Sequence, residues 1–202
     1  MPDVRRPVTE LLERPADEVA PLLLGAVLTG RGVAVRLTEV EAYLGQDDPG
    51  SHASRGVTPR TRTMFGEPGR LYVYFSYGMH VCANIVCSPP GTASAVLLRA
   101  GEIVDGVELA RERRPTARTD AELARGPARL TKALGIELDD DTAALDGAPF
   151  TLEPAPHPSP VAVGPRVGVS GEGGSEAFPL RFWIPGEPTV SAYRAHVPRT
   201  RR

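Results

Sequence analysis

The sequence predicts a single α+β domain, built on a mainly antiparallel curved sheet with a few flanking helices and a protruding β-hairpin. Alternating apolar residues over 33–43 predict a long strand, and two β-rich runs joined by the turn 76–79 predict the hairpin. The 202 residues, 41% of them hydrophobic, suffice for one compact core. We therefore treat 1–202 as one domain, in which the basic tail 195–202 is a candidate for disorder.

The first third of the chain predicts a helix, a strand and a long loop. Residues 17–28 have the pattern of a short amphipathic helix, with acidic residues in the first turn and Gly30 soon after the end. Residues 32–44 predict a strand, one face of which carries Val33, Val35, Leu37, Glu39, Glu41 and Tyr43. Because this face changes from apolar to acidic, the strand leaves the core towards a site or water. Residues 45–69 predict a loop that is too long for a simple connection, which indicates either a functional or a disordered segment.

The remaining elements alternate strands with short helices. Residues 70–75 and 80–88 predict the two strands of the hairpin, and 93–100 another apolar strand. Helical patterns follow at 104–113 and at 127–134, the second opened by a proline at an early helix position. The C-terminal third predicts short strands broken by turns.

Charge and cysteine content limit the classes of function. The net charge of −2 argues against a general polyanion binder, although the segment 51–81 holds four arginines and a single acidic residue. Such a cluster is either a solvated surface or a nucleic-acid contact. Cys82 and Cys87 lie five residues apart on opposite strand faces, so we expect buried free thiols. No signal peptide or membrane span is apparent, which predicts a cytoplasmic protein.

Aromatic residues suggest a pocket and a wedge. Tyr77 lies at the hairpin tip, where it either folds back onto the core or is offered to a partner. Tyr43, His52 and Tyr74 could line a pocket for a flat heterocycle by stacking, or could simply pack in the core. Polar contacts that such a pocket needs for orientation could come from Asn84 and Arg99.

Glu39 and Glu41 are candidates for a general base, since a carboxylate near arginine stays ionised and can deprotonate water. The alternative is two surface carboxylates on a strand. The four histidines lack metal-ligand spacing, and no phosphate loop or dinucleotide fingerprint occurs. The sequence thus predicts no metal and no cofactor.

Several long motifs, in a fixed order over about residues 15–191, resemble the alkyladenine (3-methyladenine or methylpurine) DNA glycosylase family. They are TEVEAYLG (38–45), His52, TPR (58–60), MF (64–65), GRLYVYFSYGM (69–79), Asn84, VLLRA (96–100), GP (126–127), RVGV (166–169) and PLRF (179–182). Their length and order make chance agreement implausible.

The resemblance implies roles for the residues of the pocket. Glu41, and not Glu39, is the base that activates water, and Arg99 helps to hold that water and the carboxylate. We accordingly expect Glu39→Gln to keep substantial activity. Tyr43 and His52 stack on one face of a flipped base and Tyr74 on the other. Two further residues line the pocket: Asn84, at which a normal guanine amino group would clash, and Leu97.

The resemblance also implies contacts with DNA. Tyr77 fills the gap left in the duplex, and Met79 and His80 touch the neighbouring base pair. His80 stands where the animal members of the family carry tyrosine. Arg60 and Arg62, from the arginine-rich loop, are the expected phosphate contacts.

The function implied is repair of double-stranded DNA by a monomeric N-glycosylase, which hydrolyses the bond between a damaged purine and its sugar and leaves an abasic site. The choice among 3-methyladenine, 7-methylguanine, hypoxanthine and ethenoadenine stays open. Strand cleavage would need an amine for a Schiff base, and Lys132, the only lysine, lies away from every motif. This predicts a monofunctional enzyme. Two alternatives remain: a non-catalytic nucleic-acid-binding module, to which Glu41 would be useless, and a nucleoside hydrolase, which would not need Tyr77.

Overall fold

The computed structural model describes residues 8–76 and 78–196 and has the predicted α+β architecture. Its helices are α1 (Val8–Leu12), α2 (Ala16–Val19), α3 (Val107–Arg113) and α4 (Pro127–Leu134). Its strands are β1 (Val27–Gly30), β2 (Val33–Tyr43), β3 (Leu71–Ser76), β4 (His80–Val86), β5 (Ala95–Asp105), β6 (Asp146–Gly147), β7 (Phe150–Glu153), β8 (Ala162–Gly164) and β9 (Arg181–Trp183).

The strands form one sheet in the order β3-β4-β5-β2-β1-β7-β6, and each described pair is antiparallel. β2 has β5 along one edge, whereas its other edge is shared by β1 and β9. β9, which also pairs with β8, lies beside residues 39–41 of β2. The second half of β2 therefore runs between β5 and a strand that comes about 140 residues later in the chain.

The ladder between β2 and β5 is irregular at the same place. Its register shifts between Leu37 and Glu39 and again between Glu39 and Val40. Bulges of this kind bend a strand and re-aim its side chains, and they are common beside functional sites. The acidic end of β2 thus lies at a distortion of the sheet.

The hydrophobic core lies between the sheet and the helices. α4 packs against β4 and β5 and buries Leu130, Ala133 and Leu134. It ends at Gly135, which adopts φ +73°, a left-handed conformation that favours glycine. The predicted boundaries of α4 are confirmed.

Two predicted helices are wrong in part. The helix predicted over 17–28 ends at Val19, a 3₁₀ turn covers Ala20–Leu23, and residues from 27 onward pair with β2 and β7 as β1. Pro21 explains the early end, because it lacks the N–H group that a helix interior requires. The helix predicted from 104 begins at Val107, since β5 continues to Asp105 and Gly106 turns the chain at φ +71°.

Other predictions are confirmed. β2 covers all but the ends of the predicted strand, and β3 and β4 form the hairpin with Ser76 opposite His80. Residues 45–69 contain no strand, only three 3₁₀ turns. Cys82 and Cys87 are buried free thiols. In the described ranges, no helix is long and apolar enough to cross a membrane.

Candidate active site

A cavity of about 970 Å³ opens beside the acidic end of β2. β2 to β5 contribute to its wall, together with parts of three loops that contain residues 49–64, 167–170 and 194–196. The structure brings together every residue predicted for catalysis or for the pocket: Glu41, Tyr43, His52, Tyr74, Asn84, Leu97 and Arg99. The cavity is of the size typical of a small-molecule site.

Glu41 lies in the wall of the cavity although its side chain is fully buried by neighbours. One carboxylate oxygen accepts a hydrogen bond from the backbone N–H of Val167 at 2.7 Å, and the other accepts one from the Tyr43 hydroxyl at 3.0 Å. Arg99 Nη1 lies 3.3 Å from the first oxygen. Three groups therefore hold the Glu41 carboxylate in one orientation.

Glu39 is also fully buried, so the interpretation of the pair as surface carboxylates is wrong. It accepts hydrogen bonds from Arg99 Nε (2.8 Å), Arg181 Nε (2.7 Å) and both the backbone N–H (2.7 Å) and the hydroxyl (2.9 Å) of Ser191. Burial alone would raise the pKa of Glu39, but the two arginines and Ser191 outweigh it and lower that pKa. Glu39 does not line the cavity.

Arg99 bridges the two carboxylates. It is 6% exposed, and although burial would lower its pKa, Glu41 and Glu39 raise it above the ordinary value. Its guanidinium therefore remains charged, and it links the buried cluster around Glu39 to the wall of the cavity.

A second buried ion pair, formed by Arg166 and Asp48, lies beside the ring of Tyr43. The guanidinium of Arg166 lies 4.5 Å from the centre of the Tyr43 ring and forms two bonds of 2.5 and 2.6 Å with Asp48. Burial and the charge of Glu41 raise the pKa of Tyr43 well above its usual value. The hydroxyl therefore stays protonated and can donate to Glu41.

His52 and Tyr74 are arranged differently from the two parallel walls that the resemblance implies. Their ring centres lie 4.7 Å apart at 87°, so the edge of one ring meets the face of the other. Arg60 Nη2 lies 3.3 Å from His52 Nε2, and its guanidinium lies 5.4 Å from the Tyr74 ring centre. Partial burial and the charge of Arg60 lower the pKa of His52 to about 4, which leaves the imidazole neutral.

Comparison with known proteins identifies the family. The family model "Methylpurine-DNA glycosylase (MPG)" matches residues 10–188. The chain belongs to the methylpurine-DNA glycosylase family. Relatives from Streptomyces avermitilis (58% identical, over 98% of this chain and 97% of the relative), Leifsonia xyli (60%, 89% and 88%) and Nocardia farcinica (57%, 93% and 91%) all bear the provisional name 3-methyladenine DNA glycosylase.

Two buried residues on neighbouring strands of this methylpurine-DNA glycosylase line the cavity, one polar and one apolar. Asn84 and Leu97 are direct partners across β4 and β5, and both are buried. The Asn84 amide donates to the backbone oxygen of Tyr72 at 3.1 Å, which fixes the orientation of its side chain. A fixed polar group beside an apolar one can discriminate between bases by shape and by hydrogen bonding.

The residues predicted to contact DNA do not all lie at the cavity. Arg60 lines it, whereas Arg62, Met79 and His80 are exposed and do not. Tyr77 lies outside the described residues, as do the tail arginines 199, 201 and 202. At the tip of the hairpin, Phe75 and Met79 are 48% and 67% exposed, so this glycosylase offers apolar side chains there.

Some site residues were missed by the sequence reasoning. Val167 and Arg181 lie within the RVGV and PLRF motifs, but no role was predicted for them, although both bond to the buried carboxylates. Ser191 belongs to no motif. Arg194, just before the predicted tail 195–202, and His196 within it both line the cavity. Arg181 could have been singled out from its place in PLRF, whereas no local signal distinguishes Ser191. Across the described ranges, no group of three His, Cys, Asp or Glu residues is placed to hold a metal ion.

Proposed function

We propose that the protein removes damaged purines from double-stranded DNA by flipping the nucleotide into the cavity and hydrolysing its N-glycosidic bond with a water activated by Glu41. One observation carries this proposal: among the described residues that line the cavity, Glu41 is the only carboxylate. The oxygens of Glu39 are occupied by two arginines and Ser191, which leaves Glu41 as the base that can meet a water beside a bound sugar.

The chemistry follows from the fixed carboxylate. The water oxygen attacks C1′ as the bond from C1′ to the purine nitrogen breaks, the electron pair leaves with the base, and the water proton passes to Glu41. An alkylated purine that carries a positive charge leaves as a neutral base. The negative charge of Glu41 also stabilises the oxocarbenium-like sugar, and it is already oriented by Val167 and Tyr43.

Base binding in this mechanism uses the aromatic wall. Tyr43 and Tyr74 are proposed to contact the base by stacking, at about 1–3 kcal/mol per stacked base, which offsets the few kcal/mol needed to extrude a nucleotide. Because His52 contacts Tyr74, its imidazole must turn away to join Tyr43 on the opposite face of the base. A neutral imidazole suits this role, since a positive charge would repel a cationic lesion. Asn84 and Leu97 would then select among purines, with 3-methyladenine as the first candidate substrate.

Duplex DNA would lie across the mouth of the cavity. Arg60 and Arg62 are proposed to contact phosphates, while Met79 and His80 contact the neighbouring pair and Tyr77 fills the gap in the stack. The exposed side chains of Phe75 and Met79 on the same hairpin support an apolar wedge. One copy of the chain contains all of these groups, so we propose that a monomer acts.

We further propose that the product is an intact abasic strand. Lys132 is on α4 and does not line the cavity, and no other lysine exists in the chain. Borohydride should therefore trap no covalent adduct between enzyme and DNA. A trapped adduct would refute the monofunctional assignment.

A release assay tests the function as a whole. The wild-type protein should free the modified base from an alkylated duplex and leave the matching free nucleoside uncleaved. Cleavage of the nucleoside at a comparable rate would favour a nucleoside hydrolase. Tight binding of the duplex without release of a base would favour a non-catalytic binding module.

A further inference from the structure

The C-terminal segment, defined as residues 189–196, lies against the buried cluster of Glu39, Arg99 and Arg181 without forming a helix or strand. Its Ser191 bonds to three members of that cluster. The backbone N–H and hydroxyl of Ser191 donate to Glu39, Arg99 Nη2 donates to the hydroxyl at 3.2 Å, and Arg181 donates to the backbone oxygen at 2.9 Å. Ser191 lies beyond the residues that the family model matches.

These bonds decide where Arg99 points. Its Nε donates to Glu39 and its Nη2 donates to Ser191, so two of the three guanidinium nitrogens are held by groups behind the cavity. The guanidinium is rigid and planar, and fixing two nitrogens fixes the third. That third nitrogen, Nη1, is the one that lies 3.3 Å from Glu41.

We propose that Glu39 and Ser191 are positioning residues, which hold Arg99 against Glu41 and so keep the base aligned with its water. The proposal rests on the proposed function, because it concerns the base of that reaction. Neither residue lines the cavity, and their effect is exerted through Arg99. It also revises the expectation that Glu39→Gln keeps substantial activity.

Ser191 is a better target than Glu39 for the test. Replacing Glu39 would leave two buried arginines with one fewer counter-charge, which strongly destabilises a fold. Ser191→Ala removes one hydroxyl and keeps the backbone bonds of the segment. Ser191→Thr restores the hydroxyl.

Thr189 provides a matched control on the same segment. Its buried hydroxyl lies 2.8 Å from that of Thr38 on β2, next to Glu39 in the chain, and no described hydrogen bond joins it to Glu39, Arg99 or Arg181. Thr189→Val thus removes a buried hydroxyl that ties the segment to the same strand. A role limited to holding the segment in place would make the two variants equivalent.

The experiment measures two quantities on an alkylated duplex: the single-turnover rate of base release at saturating enzyme and the dissociation constant of the complex. We expect Ser191→Ala to slow release by about tenfold, since a small misplacement of catalytic groups has effects of this size or larger. Its dissociation constant should stay within about twofold of wild type. Ser191→Thr and Thr189→Val should release the base at near the wild-type rate.

Three results would overturn the proposal: a wild-type rate in Ser191→Ala, equal losses in Ser191→Ala and Thr189→Val, or a loss that Ser191→Thr does not restore. The wild-type arm separates this outcome from failure of the proposed function. If the wild-type protein releases no base, both the proposed function and the positioning role are refuted. If wild type and Ser191→Ala release the base at the same rate, only the positioning role is refuted.

Discussion

Glu41→Gln is the substitution that the structure predicts to separate catalysis from folding. Glutamine keeps the length of the side chain and an oxygen that accepts from the Val167 N–H. Arg99 keeps its bond to Glu39, so no buried charge is left without a partner. We therefore expect the variant to fold and to bind lesion-containing duplex nearly as well as wild type.

The rate of base release should fall far more than the binding. A positioned general base contributes about 10²–10⁴-fold, which corresponds to about 3–5 kcal/mol of transition-state free energy. The loss should lie at the upper end, because Glu41 is the only carboxylate among the described lining residues and no neighbour can replace it. In the proposed mechanism, the same residue also supplies the negative charge that stabilises the oxocarbenium-like sugar.

The assay is single-turnover release from an alkylated duplex at saturating enzyme, with thermal denaturation to verify the fold. A rate within tenfold of wild type in a folded variant would refute the assignment of Glu41 as the base. A large loss of stability would refute the argument that Glu39 alone compensates Arg99.

Three further predictions concern Tyr77 on the hairpin, the ion pair of Asp48 with Arg166, and the ionisation of His52. Tyr77→Ala should slow excision from duplex DNA more than from single strands, where no stack has to be broken; equal penalties would exclude the wedge role. Asp48→Asn should lower the free energy of unfolding by about 3–5 kcal/mol in urea titrations, because the fully buried Arg166 loses its counter-ion, whereas Glu18→Gln in an exposed pair should cost at most about 1 kcal/mol. His52 has a folded-state pKa of about 4 against 6.5 for the ordinary group, so the unfolded chain binds the extra proton first. Wild type should thus lose stability as the pH falls from about 6.5 to 4, in a step that His52→Gln lacks, and identical pH profiles would contradict this.

Local pattern was sufficient for much of the fold. The alternation along β2, the hairpin of β3 and β4 and the proline-initiated α4 all depend on residues close in sequence, and the structure confirms them. The helix prediction is wrong at residues 27–28, because they pair as a strand both with the nearby β2 and with β7, more than 120 residues later. Pairing with a strand so distant in sequence cannot be predicted from the local pattern of apolar residues.

The sequence motifs were sufficient to predict which residues line the cavity. Glu41, Tyr43, Tyr74 and Arg99 come from three separate motifs, and they do meet in one cavity. That assignment rests on the resemblance to the glycosylase family, because strand period alone left Tyr43, His52 and Tyr74 open to either a pocket or core packing.

Only the tertiary structure distinguished the two carboxylates of β2 on physical grounds. They lie two residues apart on one strand, both are fully buried, and both contact Arg99. The difference comes from Arg181 and Ser191, which lie 142 and 152 residues after Glu39 in the chain. Both donate hydrogen bonds to the Glu39 carboxylate, whereas Glu41 faces the cavity. A carboxylate's role depends on which donors surround it, and donors that arrive from the far end of the chain are set by how the sheet closes.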